Sequence, residues 1–364
     1  MKLKSLIMFS AAALAFAACS NDEENAMVAD GTAAVQINLV QPGTRTVGDA
    51  TTGEEGANKV KVTGNIHVRI TDASGAGQDI ELNAGTTSYT FYGINNPTKV
   101  EAWVNDGDDI SDATTLAQVN TETLADEPEK IPAYGAYTGA FTLTDEERLN
   151  PSDNKVYKMY QAVTVNLEIP VARLEVSGIV HNDKGTDCIY TEDGLTFDAI
   201  YLDNVKATKG AETATNYYYP SDDPRNTSHH ATPVLIDLIG DANNFQAEGA
   251  VWPATETPAQ AYVYHFFPNS ANEMPLLKLC FEKAERIDGV QTQKPRYAIV
   301  ESFNGQTNFE FKAGVIYRIT DVQISDKNIG PDEEYQDEDV YAVDVKVVEA
   351  AWDIENLTAV WHEN

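Results

Sequence analysis

A chain of 364 residues with 57 Asp and Glu against 25 Lys and Arg carries a formal net charge of −32. The length allows two or three domains with full cores. The charge repels nucleic acid and anionic headgroups, so neither is an expected partner, and it favours solubility outside a cell.

Lys2 and Lys4 precede an apolar run from Leu6 to Ala18, which closes on Phe16-Ala17-Ala18-Cys19. The run is too short to cross a bilayer, and the order basic, apolar, small, Cys is that of a bacterial lipoprotein signal. An ordinary secretory signal that happens to end in Cys is the competing reading, and the spacing disfavours it. Residues 1–18 are therefore expected to be removed, leaving Cys19 acylated and held in outer-membrane lipid at the cell surface. Ser20-Asn21-Asp22-Glu23-Glu24 follows, an acidic patch that resembles a surface-export signal of Bacteroidota lipoproteins. No second apolar run approaches membrane length.

Residues 34–40 alternate strictly around Val35, Ile37 and Leu39. A period of two puts those side chains on one face of a strand. The strand stops at Pro42-Gly43, and Arg45 opens a segment rich in Thr, Gly and Glu that runs to about Ala57. Such a segment buries little and is expected to be exposed, so a trypsin-like or Arg-specific protease can reach the Arg45–Thr46 bond. Arg45 as a plain solvated loop residue is the alternative.

After residue 57 almost every patterned segment has period two: 60–62, 66–70, 89–92, 100–104, 137–143, 155–160 and 162–169 before Pro170 and 172–176 just after it, with a short helical pattern at 112–124. Beyond Pro170 the pattern continues at 199–202, 261–267, 276–281, 296–300 and 315–324, with a long polar loop over 206–228. Short strands separated by Gly, Asn, Asp and Pro, with few elements long enough to be crossover helices, predict an all-β chain. The expected architecture is two antiparallel β-sandwich domains in tandem, 46–170 and 171–364, Pro170 marking the boundary.

No catalytic or metal constellation passes a test of spacing, so neither an enzyme nor a cofactor is expected. There is no Gly-rich phosphate loop or nucleophile elbow. His229 and His230 are neighbours, but adjacent side chains point apart and zinc would need distant partners. Asp72 to Asp79 offers oxygens without calcium-hand spacing and reads as a hairpin turn. Among so many carboxylates a glycosidase-like pair is no evidence. Cys188 and Cys280 leave both a disulfide and two buried thiols open. Trp103 lies in a strand pattern and is expected in the core; Trp252 fits either a core or a sugar platform.

The end of the chain repeats the pattern of its beginning. Residues 331–339 form an acidic spacer, and 341–348 then alternate around Val343, Val345 and Val347. Trp352 follows, and a last apolar stretch holds Leu357 and Trp361. A final hairpin of the C-terminal domain is one reading. A tethered apolar strand that reaches a neighbouring copy is the other.

Taken in order, Cys19, the removable strand ending at Arg45, Ile131-Pro132-Ala133-Tyr134-Gly135, Pro170-Val171-Ala172-Arg173-Leu174-Glu175-Val176, Ala313-Gly314-Val315-Ile316-Tyr317-Arg318-Ile319, and 343–348 with Trp352 resemble the fimbrillins, subunits of Bacteroidota type V pili. The resemblance spans nearly the whole chain. It implies transthyretin-like, Greek-key sandwiches and a structural pilus subunit that supports adhesion to a host protein or glycan. It further implies processing after Arg45, departure of strand 34–40, and donor-strand polymerisation through a tail of about 340–364. The donor residues would be Val343, Val345, Val347, Trp352, Leu357 and Trp361. A pilus tip or anchor subunit shares that architecture. From a different class stands a permanently anchored surface lipoprotein that binds glycan or host protein, with Trp252 and Tyr217 to Tyr219 as its contacts.

Overall fold

The computed structural model describes residues 27–40, 64–104, 114–182, 195–214, 235–239, 251–252, 261–269, 273–287, 290–330, 342–345 and 348–350. These residues form an all-β, multi-sheet protein. Its first half holds β1 (Met27–Val40), β2 (Ile66–Asp72), β3 (Gly77–Leu82), β4 (Ser88–Ile94) and β5 (Pro97–Val104). Two single-turn helices follow, α1 (Leu116–Val119) and α2 (Glu122–Asp126), then β6 (Ala133–Tyr137), β7 (Leu143–Asn150) and β8 (Lys155–Asn166). One sheet runs β4-β1-β8-β7 and the other β3-β2-β5-β6. Between them lies a core in which Val35, Ile37 and Leu39 of β1 meet Ile66, Val68 and Ile70 of β2 and Val163 and Val165 of β8. The two sheets join at one corner, where Tyr134 and Glu168 exchange backbone hydrogen bonds of 3.1 and 3.0 Å. Residue 135 is glycine for a steric reason: a Cβ there would stand 2.0 Å from the Asn166 carbonyl oxygen.

The second half holds β9 (Ala172–Val176), β10 (Ile179–His181), β11 (Leu195–Asp203), β12 (Ile236–Leu238), β13 (Val251–Trp252) and β14 (Tyr262–Phe266). It continues with β15 (Leu276–Ile287), β16 (Val290–Phe303), β17 (Ile316–Ile319), β18 (Val322–Ile324), β19 (Ala342–Val345) and β20 (Val348–Ala350). Its sheets run β12-β11-β15-β16-β19, β14-β9-β17-β20 and β13-β10-β18. β9 and β10 are one strand line broken at Gly178, and β17 and β18 break beside it; Gly178 has φ of 68°, and a Cβ would stand 1.9 Å from the Thr320 carbonyl oxygen. The core is aromatic, with Phe311 set edge-on to Phe266, Phe303, Phe309 and Tyr317 at 4.7–5.2 Å between ring centres. Edge-to-face contact puts the positive rim of one ring on the negative face of the next.

The structure departs from the sequence reading in several places. The sheets are mixed: β1–β8, β9–β17, β10–β18 and β16–β19 pair in parallel. Each of these pairs joins strands far apart in sequence, with ample chain for the crossover that parallel pairing needs. The strand expected over 137–143 is instead the end of β6, a link at 138–142 and the start of β7; the Tyr137 hydroxyl donates to the Ala140 carbonyl at 3.0 Å and its ring packs edge-on against Phe141. The two strands expected over 155–169 are one, β8, in which Gln161 and Ala162 together oppose the single residue Gln36. The strand expected over 315–324 is two. The helical pattern at 112–124 divides into α1, closed by a capping box of Thr115 and Gln118, and α2. Residues 60–62 lie outside the described residues.

The halves meet through the segment that carries α1 and α2. Asn120 exchanges two 2.7 Å hydrogen bonds with the backbone of His265. The buried Arg173 donates to the carbonyls of Leu124 and Ala125, both at 2.8 Å, and to Glu175 at 2.6 Å. Glu175 also accepts from Arg318 at 2.8 Å. Burial pushes the Glu175 carboxyl up, but the guanidinium groups of Arg173 and Arg318 outweigh it and its pKa lies below the usual range. Burial, and then the charge of Arg173, hold His265 well below the ordinary value of 6.5, so its ring is neutral. Arg173 Nη1 lies 3.1 Å from His265 Nε2, which as the partner of a permanent donor must accept; the ring proton therefore sits on Nδ1.

Candidate functional site

β1 is the middle of its sheet rather than a margin of it. On one side it runs antiparallel to β4, with Val35 opposite Phe91, Gln36 opposite Thr90, Ile37 opposite Tyr89 and Asn38 opposite Ser88. On the other it runs parallel to β8, with Ala34 opposite Met159, Val35 opposite Tyr160, Ile37 opposite Val163 and Leu39 opposite Val165. Further bonds run from Leu39 N to the Thr87 carbonyl and from Leu167 N to the Val40 carbonyl, both 2.8 Å. Val35 and Ile37 are 0% exposed and Leu39 is 4%. The strand thus supplies both ladder bonds and core, and a chain without it would have a slot between β4 and β8.

The two faces of β1 make different demands. Inward, the slot asks for three apolar side chains at positions 35, 37 and 39, against Tyr89, Phe91, Tyr160, Val163 and Val165. Outward, Ala34 is 0% exposed and packs with Tyr157 and Met159, with Tyr92 against them. The rings of Tyr92 and Tyr157 meet edge-on at 5.5 Å. Beyond Ala34 the outward face is polar, and Gln36 Nε2 donates to Asn38 Oδ1 at 3.3 Å. The bulge at Gln161 and Ala162 re-aims β8, so that Tyr157 and Met159 lie outward while Val163 and Val165 join the core. Sequence reasoning found the inward row from its period; the closed outward seat at Ala34 has no signature in the sequence.

Among the described residues the tail strands sit at margins. β19 ends the five-stranded sheet, parallel to β16, with Ala342 opposite Ile299 and Val343 opposite Val300. β20 ends the four-stranded sheet, antiparallel to β17, with Val348 opposite Arg318. Val343 and Val345 are therefore in a strand of their own chain. Cys19, Arg45, Thr46, Val347, Trp352, Leu357 and Trp361 lie outside the described residues, as do Cys188 and Tyr217 to Tyr219.

The remaining candidates fall elsewhere. Asp72 accepts hydrogen bonds from the backbone of Ser74 and Ala76 and from the Ser74 hydroxyl, closing the β2–β3 hairpin. Trp103 is buried, but on the outward face of its sheet, stacked on His67 at 5.5 Å. Trp252 lies in β13, opposite Ile179. Among the described residues no three His, Cys, Asp or Glu are grouped to hold a metal ion, and no helix is long and apolar enough to cross a membrane.

No protein-family model and no curated protein matches this chain. Among solved structures it is similar to a candidate cell adhesion protein of Bacteroides eggerthii, at 17% identity over 90% of this chain and 97% of that one, with a TM-score of 0.49. A candidate cell adhesion protein of Parabacteroides distasonis matches at 12% identity over 88% and 99%, with a TM-score of 0.41. A fimbrilin of Porphyromonas gingivalis matches at 12% identity over 86% and 96%, with a TM-score of 0.40. At these identities and TM-scores the matches assign no function.

Proposed function

We propose that this chain is a structural subunit of a surface fimbria, exported as a lipoprotein acylated at Cys19, cut after Arg45 and polymerised by strand exchange between copies. The observation that carries the reading is the position of β1: a central, sealed strand whose connection to the rest of the chain contains Arg45. A cut there leaves β1 held only by non-covalent contacts. Its departure would expose three core side chains, each worth roughly 1.5–3 kcal/mol when buried, and strip ladder bonds from β4 and β8. A strand from another copy relieves both losses by β-augmentation. The tail suits that part because, among the described residues, its strands end their sheets and are hydrogen-bonded on one side. Groove and tail lie on different parts of one chain, so each contact is head-to-tail and the assembly grows as a filament rather than closing.

The home pairing of β19 and β20 favours a second reading, a monomeric surface lipoprotein that keeps its lipid and its tail. One experiment separates the two. Protein sheared from cells is sequenced from its N-terminus and run unboiled on a denaturing gel, beside a chain lacking residues 340–364. A start at Thr46 with a ladder, and monomers from the truncated chain, are expected of a pilus subunit. A start at acylated Cys19 without a ladder, or a ladder from the truncated chain, overturns that reading.

A further inference from the structure

We propose a single register for the exchanged strand: residues 342–348 of a second copy occupy the places of residues 34–40, parallel to β8 and antiparallel to β4. The inference rests on the strand-exchange reading above and adds to it the partner segment, its direction and its alignment.

The match is positional. Ala34-Val35-Gln36-Ile37-Asn38-Leu39-Val40 reads against Ala342-Val343-Asp344-Val345-Lys346-Val347-Val348: small, apolar, polar, apolar, polar, apolar, Val. The inward row is served by Val343 opposite Phe91 and Tyr160, Val345 opposite Tyr89 and Val163, and Val347 opposite Val165, these being the partners of Val35, Ile37 and Leu39. The seat under Tyr157 and Met159, filled by a methyl group in β1, receives Ala342. On the outward face the hydrogen-bonded pair Gln36 and Asn38 is replaced by Asp344 and Lys346, opposite charges with the same spacing. The correspondence begins at Ala34; the preceding position is Ala33 in β1 and Tyr341 in the tail, so the donor enters the groove from residue 342 onward.

No neighbouring alignment meets these demands. A slip of one residue turns Asp344 and Lys346 into the core, since side chains alternate between faces. A slip of two in one direction puts Asp344 in the alanine seat and Glu349 in the place of Leu39. A slip of two in the other puts Val340 in the alanine seat and Tyr341 in the place of Val35. The last apolar stretch fails as well, because aligning Leu357 with Val35 puts Asn356 in the alanine seat and Trp361 in the place of Leu39. Ile37 and Leu39 each carry one methylene more than Val345 and Val347, so the chain's own strand fills the groove better than the donor does.

Disulfide trapping tests the register. Asn38 and Ser88 form the closely spaced kind of antiparallel pair, because the bond from Leu39 N to the Thr87 carbonyl lies just beyond it. Gln36 and Thr90, two residues on, are of the same kind, and that spacing admits a disulfide. In a full chain carrying Cys188→Ser, four cysteine pairs are compared after cutting at Arg45, assembly and oxidation. Lys346→Cys with Ser88→Cys, and Asp344→Cys with Thr90→Cys, are expected to give a covalent ladder that a reductant collapses. The crossed pairs, Asp344→Cys with Ser88→Cys and Lys346→Cys with Thr90→Cys, are expected to give none. A ladder that forms without disulfides, or with the crossed ones, overturns the register and leaves strand exchange standing. A cut parent chain that forms no ladder overturns strand exchange and the register with it. As a second reading of the same fit, Val345→Ile with Val347→Leu should slow dissociation of the ladder roughly tenfold. Unchanged or faster dissociation counts against the register.

Discussion

β1 and β19 look alike in sequence and opposite in structure. Residues 34–40 of β1 and the stretch that begins with β19 both alternate from an Ala and a Val, and both adjoin polar spacers. β1 is laddered on both sides and sealed, whereas β19 is, among the described residues, the last strand of its sheet, with a neighbour on one side. Alternation therefore reports which strands can fill a groove, not which groove they fill. Position in the sheet helps decide what a strand's removal costs, and here an interior strand stands against one at a margin.

The largest expected effect breaks the symmetry outright. Ile37→Asp buries a charge without a partner and should destabilise the first half by about 4 kcal/mol or more. Val345→Asp should leave a monomer with near-parental melting that no longer assembles. Denaturation curves and gel ladders read the pair, and equal loss of stability in both would erase the distinction. Arg173→Met comes next. It strips the donor from Leu124, Ala125 and Glu175, leaves Glu175 with Arg318 alone, and should cost about 3 kcal/mol. Since that joint touches neither the β1 slot nor β19, the cut variant should still form a ladder at low temperature. Gly135→Ala forces β6 away from the end of β8, the strand that walls the slot, and should cost about 1–3 kcal/mol. It should loosen donor binding where Arg173→Met does not, which dissociation of the ladder measures.

The smallest effect is a slope. The folded chain holds His265 neutral well below pH 6.5, so the unfolded chain binds the extra proton first as pH falls. Stability is then full above about pH 6.5 and declines below it, by up to about 1.4 kcal/mol per pH unit. His265→Gln should remove that decline. Glu175, whose folded pKa is depressed, adds a further loss only as pH falls below its ordinary 4.5 and through its folded value. A parental chain of constant stability between pH 6.5 and 5 would refute the assignment of a neutral His265.

The sequence made some of this legible. The row Val35, Ile37 and Leu39 is visible because burial on one face of a strand imposes a period of two. So is the all-β class, from short alternating segments between Gly, Asn and Pro. What β1 pairs with is invisible, because its partners lie at least 50 residues away in β4 and more than a hundred away in β8, and alternation carries no address. The joint was equally hidden: Arg173 and Glu175 alternate with Ala172 and Leu174 like solvated strand residues, yet both are buried, and nothing near Asn120 or His265 in sequence points across the molecule. The link at 138–142 misled because Tyr137, Phe141 and Leu143 keep a period of two across it, although Tyr137 and Phe141 pack on one another.

The Arg173 joint has a mechanical meaning in a filament built as proposed. Tension would enter each copy along its groove, where the donor lies parallel to β8 and is pulled in shear, so that its ladder bonds share the load instead of failing one by one. It would leave through the tail of the second half. Every newton must therefore cross between the halves. A guanidinium holding two carbonyls and a carboxylate, with Asn120 clasping the backbone of His265 beside it, is a rivet on that line of force, and the strength of the fibre would be set as much by this buried joint as by the exchanged strand.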